Sequence, residues 1–117
     1  MRLRDMQDEV EQWLDGVIPE RTTKSVLIKL EEERQELLDT LQDTKHIDPT
    51  EFADLLIIIL DLASLNCIDV QSSFKKKMNI NRSRRWEVDE NGCAQHIKCE
   101  KKGIKTKEKE FGGGNKN

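Results

Sequence analysis

Glu33 and Glu36 stand three residues apart, and so do Glu51 and Asp54. In a helix that spacing puts both members of a pair on one face. Both pairs lie among apolar residues of the kind that build a core. A carboxylate facing an apolar interior is costly unless a cation meets it. An all-oxygen donor set suits a hard divalent cation such as Mg²⁺, which keeps several waters and binds through a few carboxylates plus substrate phosphates. No His stands at these positions, which speaks against zinc or a di-iron pair.

The elements that must position these groups are legible in the pattern. Leu3, Met6, Val10, Trp13, Leu14 and Val17 recur at spacings of three and four, which predicts an amphipathic helix over 3–17, ended by Gly16 and Pro19. Thr22 or Thr23 caps a second helix running to about Asp43, with Val26, Leu27, Leu30, Leu37, Leu38 and Leu41 as its stripe. Glu33 falls seven residues after Val26 and three after Leu30, at a place the stripe reserves for a hydrophobe. Glu36 borders the same face.

Asp48-Pro49-Thr50-Glu51 reads as a helix start, with a capping Asp, Pro at the first helical position and a capping-box Glu. The third helix then runs from Pro49 to about Leu65 and is apolar on nearly every side, as a central helix is. Asn66 closes it. Asp69 caps a fourth helix with Val70, Phe74 and Met78 inward and a basic far end (Lys75, Lys76, Lys77, Arg82, Arg84, Arg85). Val88 to Lys98 is expected to hold a short strand or an irregular arm around the Asn91-Gly92 turn. The fold class is therefore all-α, a four-helix bundle with a short irregular arm. Helix 3 is too apolar for four short helices to cover, so a homo-oligomer, a dimer or tetramer, is expected.

Composition bounds the remaining choices. The chain has 117 residues and a net charge of −3, unevenly spread. Residues 98–117 carry seven Lys against three Glu, which leaves the first 97 residues at −7. We expect one folded domain over 1–97 and a basic, disordered tail over 98–117. An acidic body lacks the electrostatic footprint of a duplex binder. Two Trp and three Phe are few for a single-strand stacking platform. No stable nucleic-acid partner is expected. The N-terminus lacks an apolar signal region, and the apolar run at 55–65 is too short to span a bilayer. Cys67, Cys93 and Cys99 are odd in number and irregularly spaced, which favours reduced thiols in a cytoplasmic protein over a disulfide framework. Cys93, His96 and Cys99 do not form a standard zinc spacing.

Glu32-Glu33-x-x-Glu36 followed by Glu51-x-x-Asp54 resembles the EExxE…ExxD pattern of the all-α nucleoside triphosphate pyrophosphohydrolases, the MazG-like group. The likeness extends to Gln12-Trp13-Leu14, Lys29-Leu30, Phe52-Ala53 and the Lys77-Met78-x-Ile80-Asn81-Arg82-x-Arg84-x-Trp86 ending. These residues resemble the bacterial and phage branch of dATP/dGTP pyrophosphohydrolases, the MazZ type, over roughly residues 8–97. The resemblance implies hydrolysis of purine dNTPs to dNMP and pyrophosphate with Mg²⁺ or Mn²⁺, water attacking the α-phosphorus. It implies Glu33, Glu36, Glu51 and Asp54 as metal ligands and Glu32 as a further ligand or base, making Glu32, Glu33 and Glu36 the catalytic set. Lys77, Asn81 and Arg84 would contact phosphates or sugar, and Trp13 would stack on the base. Some members of the branch serve phages that replace adenine with 2-aminoadenine; the setting of a phage-encoded member is the host cytoplasm.

Plainer readings stand beside these. Capping alone accounts for Glu51, an ion pair with a Lys or Arg for Glu33, and a solvated face for Glu31 and Glu32. Asp61 reads best as the partner of an Arg across the bundle. Lys77, Asn81 and Arg84 suit an ordinary basic helix end, and Trp13 suits the core. The alternatives to the dNTP activity are a house-cleaning NTP pyrophosphohydrolase of other base preference and a non-catalytic helical module binding nucleotide or protein.

Overall fold

The computed structural model describes residues 1–43 and 45–97. It has four helices, α1 (Leu3–Val17), α2 (Thr23–Gln42), α3 (Thr50–Leu65) and α4 (Val70–Ser83), followed by strands β1 (Arg85–Val88) and β2 (Ala94–Ile97). The chain divides into two compact units, Met1–Met78 and a second beginning at Asn79. The expected tail, residues 98–117, lies outside the described residues.

In the first unit α3 packs against both α1 and α2. Leu60 and Asp61 of α3 are each 1% exposed, and with Val26 and Ile58 they lie at the centre. The α2–α3 pairing is antiparallel and tied at both ends. Asn66 Nδ2 donates to Thr23 Oγ1 at one end, and at the other Asp48 N–H donates to Thr40 Oγ1. This places the middle of α2, where Glu33 and Glu36 lie, beside the start of α3, where Glu51 lies.

The termini show why the helices fall where they do. Thr22 and Ser25 cap α2 reciprocally, Thr22 Oγ1 accepting from Ser25 N–H and Ser25 Oγ from Thr22 N–H. At α3, Asp48 Oδ1 accepts from both the Thr50 N–H (3.0 Å) and the Thr50 hydroxyl (2.7 Å). The Thr50 hydroxyl first and then its N–H hold the Asp48 carboxyl below its ordinary range. The helix proper starts at Thr50, one residue later than the sequence suggests, and the expected capping box is not closed. The Asp48 N–H that Glu51 would have accepted from is taken by Thr40.

Asn66 ends α3, and Cys67 behind it takes a positive φ of 58°. Gln7 of α1, 3% exposed, joins α1 to the α3–α4 turn. Its amide donates to Ser64 Oγ and the Ile68 carbonyl, and its oxygen accepts from Val70 N–H. Periodicity marks Gln7 as polar and gives no hint of this junction.

Among the described residues the inward face expected of α4 is not realised: none of its residues is buried, and Phe74 is 57% exposed. In the second unit, the arm expected at Val88 to Lys98 is an antiparallel hairpin with Val88 opposite Ala94 and Arg85 opposite Ile97. Asp89 organises its turn, accepting from Asn91 and Cys93 N–H through Oδ1. Gly92 takes a φ of 81° there, a region open to glycine at little cost. Trp86 donates its ring N–H to the Asn81 carbonyl and meets His96 edge-on at 5.7 Å.

Candidate metal centre

Glu33, Glu36 and Glu51 converge. One carboxylate oxygen of each lies within 4.8 Å of the others. Glu33 is buried, Glu51 half-buried and Glu36 exposed, so the cluster opens from the α2–α3 seam toward solvent. Among the described side chains, Glu33 Oε1 and Glu51 Oε1 are buried without a hydrogen-bond partner. Such orphaned oxygens are rare in folded proteins and call for a missing partner.

Electrostatics point the same way. Loss of water around Glu51, and then the charges of Glu36, Asp54, Asp48 and Glu33, raise its pKa above the ordinary glutamate range. A divalent cation at this point would relieve that repulsion and satisfy the orphaned oxygens. The residues present therefore fit Mg²⁺ or Mn²⁺ by donor type, donor number and spacing.

The other expected residues fall as follows. Asp54 is outside the converging trio; it is half-buried one turn beyond Glu51 and lines a neighbouring cleft with Glu33. Glu32 is exposed and lies 3.5 Å from Lys29 Nζ. The ion-pair reading of Glu33 is realised in part: Lys29 Nζ lies 3.3 Å from Glu33 Oε2, leaving Oε1 unpaired. This Lys29 contact was available in the sequence as an i, i+4 spacing. Lys77 is exposed on α4; Asn81 and Arg84, in the second unit, are half-buried.

The cleft beside the cluster has a volume of about 580 Å³. Its floor is apolar (Leu14, Val26, Ile57, Ile58), and Trp13 lines it. Trp13 is 60% exposed in the single chain, so it is not part of this chain's own core. Arg21 and Asp61 close the far side. Arg21 grips Asp61 through Nε (2.9 and 3.0 Å) and Nη2 (2.8 Å), while Nη1 meets Asp15 at 3.0 Å and the Ile18 carbonyl at 3.2 Å. The Asp61 hydrogen bonds are the largest influence raising the Arg21 pKa. The expected role of Asp61 as an Arg partner holds.

An all-helical seam that gathers carboxylates at the mouth of an apolar cleft belongs to the class of metal-dependent nucleotide hydrolases. Comparison with known proteins narrows the class. No protein-family model matches the chain. It is 40% identical over 93 residues to a dATP/dGTP diphosphohydrolase of Cyanophage S-2L, covering 80% of this chain and 86% of that one. It is 38% identical over 95 residues to a dATP/dGTP diphosphohydrolase of Salmonella phage PMBT28. That match covers 81% of this chain and spans 31% of the longer relative. Among solved structures, the Cyanophage S-2L MazG-like pyrophosphohydrolase bound to dGDP and three catalytic Mn²⁺ ions per active site superposes with a TM-score of 0.70 at 38% identity. The superposition covers 82% of this chain and 93% of that one. The chain belongs to the MazG-like pyrophosphohydrolases, in the phage branch of dATP/dGTP diphosphohydrolases.

Proposed function

We propose that this protein hydrolyses purine deoxynucleoside triphosphates, dGTP and dATP, to the monophosphate and pyrophosphate, using Mg²⁺ or Mn²⁺. The observation that carries the reading is the convergence of Glu33, Glu36 and Glu51 with two orphaned buried oxygens. A divalent cation bound here supplies charge neutralisation on the phosphates and a water acidic enough to react at neutral pH.

The chain's own part is to hold and shape. Glu33, Glu36 and Glu51 fix the ligand oxygens, and Asp54 adds a fourth carboxylate at the border of cluster and cleft. Glu32, exposed beside Lys29, is the candidate to accept the proton of the attacking water. The apolar cleft takes the base against Trp13, so that the triphosphate reaches the carboxylates. Attack of water on the α-phosphorus forms a new P–O bond there and breaks the bond from that phosphorus to the α,β-bridging oxygen, which leaves with pyrophosphate. Lys77, Asn81 and Arg84 are assigned to the phosphates and sugar on the strength of the motif they share with the family.

The catalytic domain in this reading is residues 1–97, and the working form is a homo-oligomer in the cytoplasm of the host cell. Phe52, Leu56 and Ile59 support the oligomer: they fall on one face of α3 and are 43–50% exposed. A contiguous apolar face of this kind marks an interaction site. Among the described residues no helix is long and apolar enough to cross a membrane.

The test is to incubate the protein with each of the four dNTPs and four NTPs, with and without Mn²⁺, and to assay pyrophosphate. The reading requires metal-dependent release with dGTP or dATP at the head of the panel. Release from pyrimidine nucleotides alone would refute the substrate class, and no release from any nucleotide would refute the activity.

A further inference from the structure

Two cations line the cleft beside the carboxylates, Arg21 and Lys29. They are not equivalent. Arg21 has a side chain only 5% exposed, and it is committed to Asp61, Asp15 and the Ile18 carbonyl. It is part of the wall. Lys29 has a side chain 57% exposed, and its Nζ reaches Glu33 Oε2 at 3.3 Å and Glu32 Oε1 at 3.5 Å. Its four-carbon stem is flexible and its charge compact.

Glu33 is the most buried of the three converging carboxylates, with Oε1 unpartnered and Oε2 facing Lys29. A dication drawing on Glu33 puts its charge close to the ammonium. At a few ångströms like charges repel, by an amount that water screens strongly for an exposed side chain such as Lys29. The ammonium must then move, and the same cleft offers it a place to go. A nucleotide bound there with its phosphates toward the carboxylates brings negative charge within reach of a lysine that already lines the cavity.

We propose that Lys29 is the resident counter-ion of Glu33, displaced when the metal arrives and transferred to the phosphates of the bound nucleotide. This inference rests on the proposed function and assigns a role to a residue that the carboxylate pattern does not contain. It makes metal and nucleotide binding cooperative through one side chain. Metal binding alone must break the Lys29–Glu33 pair, and nucleotide gives the freed ammonium a new partner.

The experiment is a pair of titrations on the full chain with Lys29→Met, which keeps most of the stem and removes the charge. Lys24→Met, a change at another exposed lysine of α2, serves as the control. Helical content by circular dichroism establishes that each variant is folded. Mn²⁺ binding to nucleotide-free protein is followed through the signal of free Mn²⁺. Binding of dGDP is then measured at saturating Mn²⁺.

We expect Lys29→Met to bind Mn²⁺ about two- to fivefold more tightly than the parent without nucleotide, the range of one exposed ion pair. We expect it to bind dGDP more weakly by a similar factor once Mn²⁺ is saturating. Lys24→Met should match the parent in both titrations. Unchanged or weaker Mn²⁺ affinity in Lys29→Met would overturn the counter-ion role, and unchanged dGDP affinity would overturn the transfer. A parent protein that binds neither Mn²⁺ nor dGDP would instead refute the function on which the inference rests.

Discussion

Glu51 is more constrained electrostatically than its place at a helix start suggests. Its raised pKa, caused by lost hydration and then by Glu36, Asp54, Asp48 and Glu33, means the metal-free fold holds that proton more tightly than the unfolded chain does. The sign follows from proton linkage. Glu51 destabilises the metal-free fold once pH rises through its raised folded pKa, and the penalty disappears as pH falls toward the ordinary glutamate value of about 4.3. Thermal melts should therefore show metal-free protein gaining stability on acidification from neutral pH into that window. Saturating Mn²⁺ should abolish that gain. Asp48, whose pKa is lowered by Thr50, acts oppositely: its contribution is present above the ordinary aspartate value and is lost only at lower pH. The two effects thus occupy different windows. Glu51→Gln should remove the first effect, raise the metal-free melting temperature and reduce turnover about a hundredfold or more. Glu36→Gln should leave helical content intact and abolish turnover; full activity in that variant would remove its assigned role as a ligand. Glu33 was legible in the sequence because a stripe of Val26, Leu30 and Leu37 left it facing inward. The difference between Asp54 and the converging trio was not legible, because spacing places a residue on a face but does not give the distance across a seam.

The elements owe their arrangement to a few polar junctions between apolar faces. The Arg21–Asp61 pair is the most buried of these, with side chains 5% and 2% exposed. Asp61→Asn leaves the buried Arg21 guanidinium with the exposed Asp15 as its remaining ion partner, so it should cost up to about 3–5 kcal/mol of stability. Because Arg21 and Asp61 line the cleft, the change should also raise KM more than it lowers kcat. Chemical denaturation and steady-state kinetics check both. A joint Arg21→Met, Asp61→Leu exchange should recover most of the stability, since an apolar pair of similar volume is often as stable as the ion pair it replaces. The four helices were legible because their periods, caps and breakers agree: Thr22 at one start, Pro49 at another, and Pro19 just beyond the end of α1, which runs through Gly16 to Val17. The turn at Asn91-Gly92 was legible, but the choice between a short strand and an irregular arm was not, nor was the partner strand Arg85–Val88. Strands of four residues carry too little periodicity to separate from an irregular arm, and the order there depends on one carboxylate holding a turn.

At the scale of the whole molecule, the chain leaves much of its apolar surface open. Phe52, Leu56 and Ile59 on α3 and Phe74 on α4 are each between 43% and 57% exposed. The expectation that Phe74 faces inward came from periodicity, which marks an apolar face but not whether the same chain covers it. If the proposed oligomer forms through the open face of α3, replacing Ile59 with Lys should shift the protein toward monomer in sedimentation velocity while helical content is kept; a parent that sediments as a monomer, or a variant with an unchanged coefficient, would refute that face as the subunit contact. In the proposed reaction the carboxylate seam directs water to the α-phosphorus of a purine dNTP. The most direct measurement is turnover of dGTP with Mn²⁺ in ¹⁸O-labelled water, with mass analysis of both products. Attack at the α-phosphorus predicts dGMP carrying the label and unlabelled pyrophosphate. Label in pyrophosphate, or release of dGDP and inorganic phosphate, would contradict it.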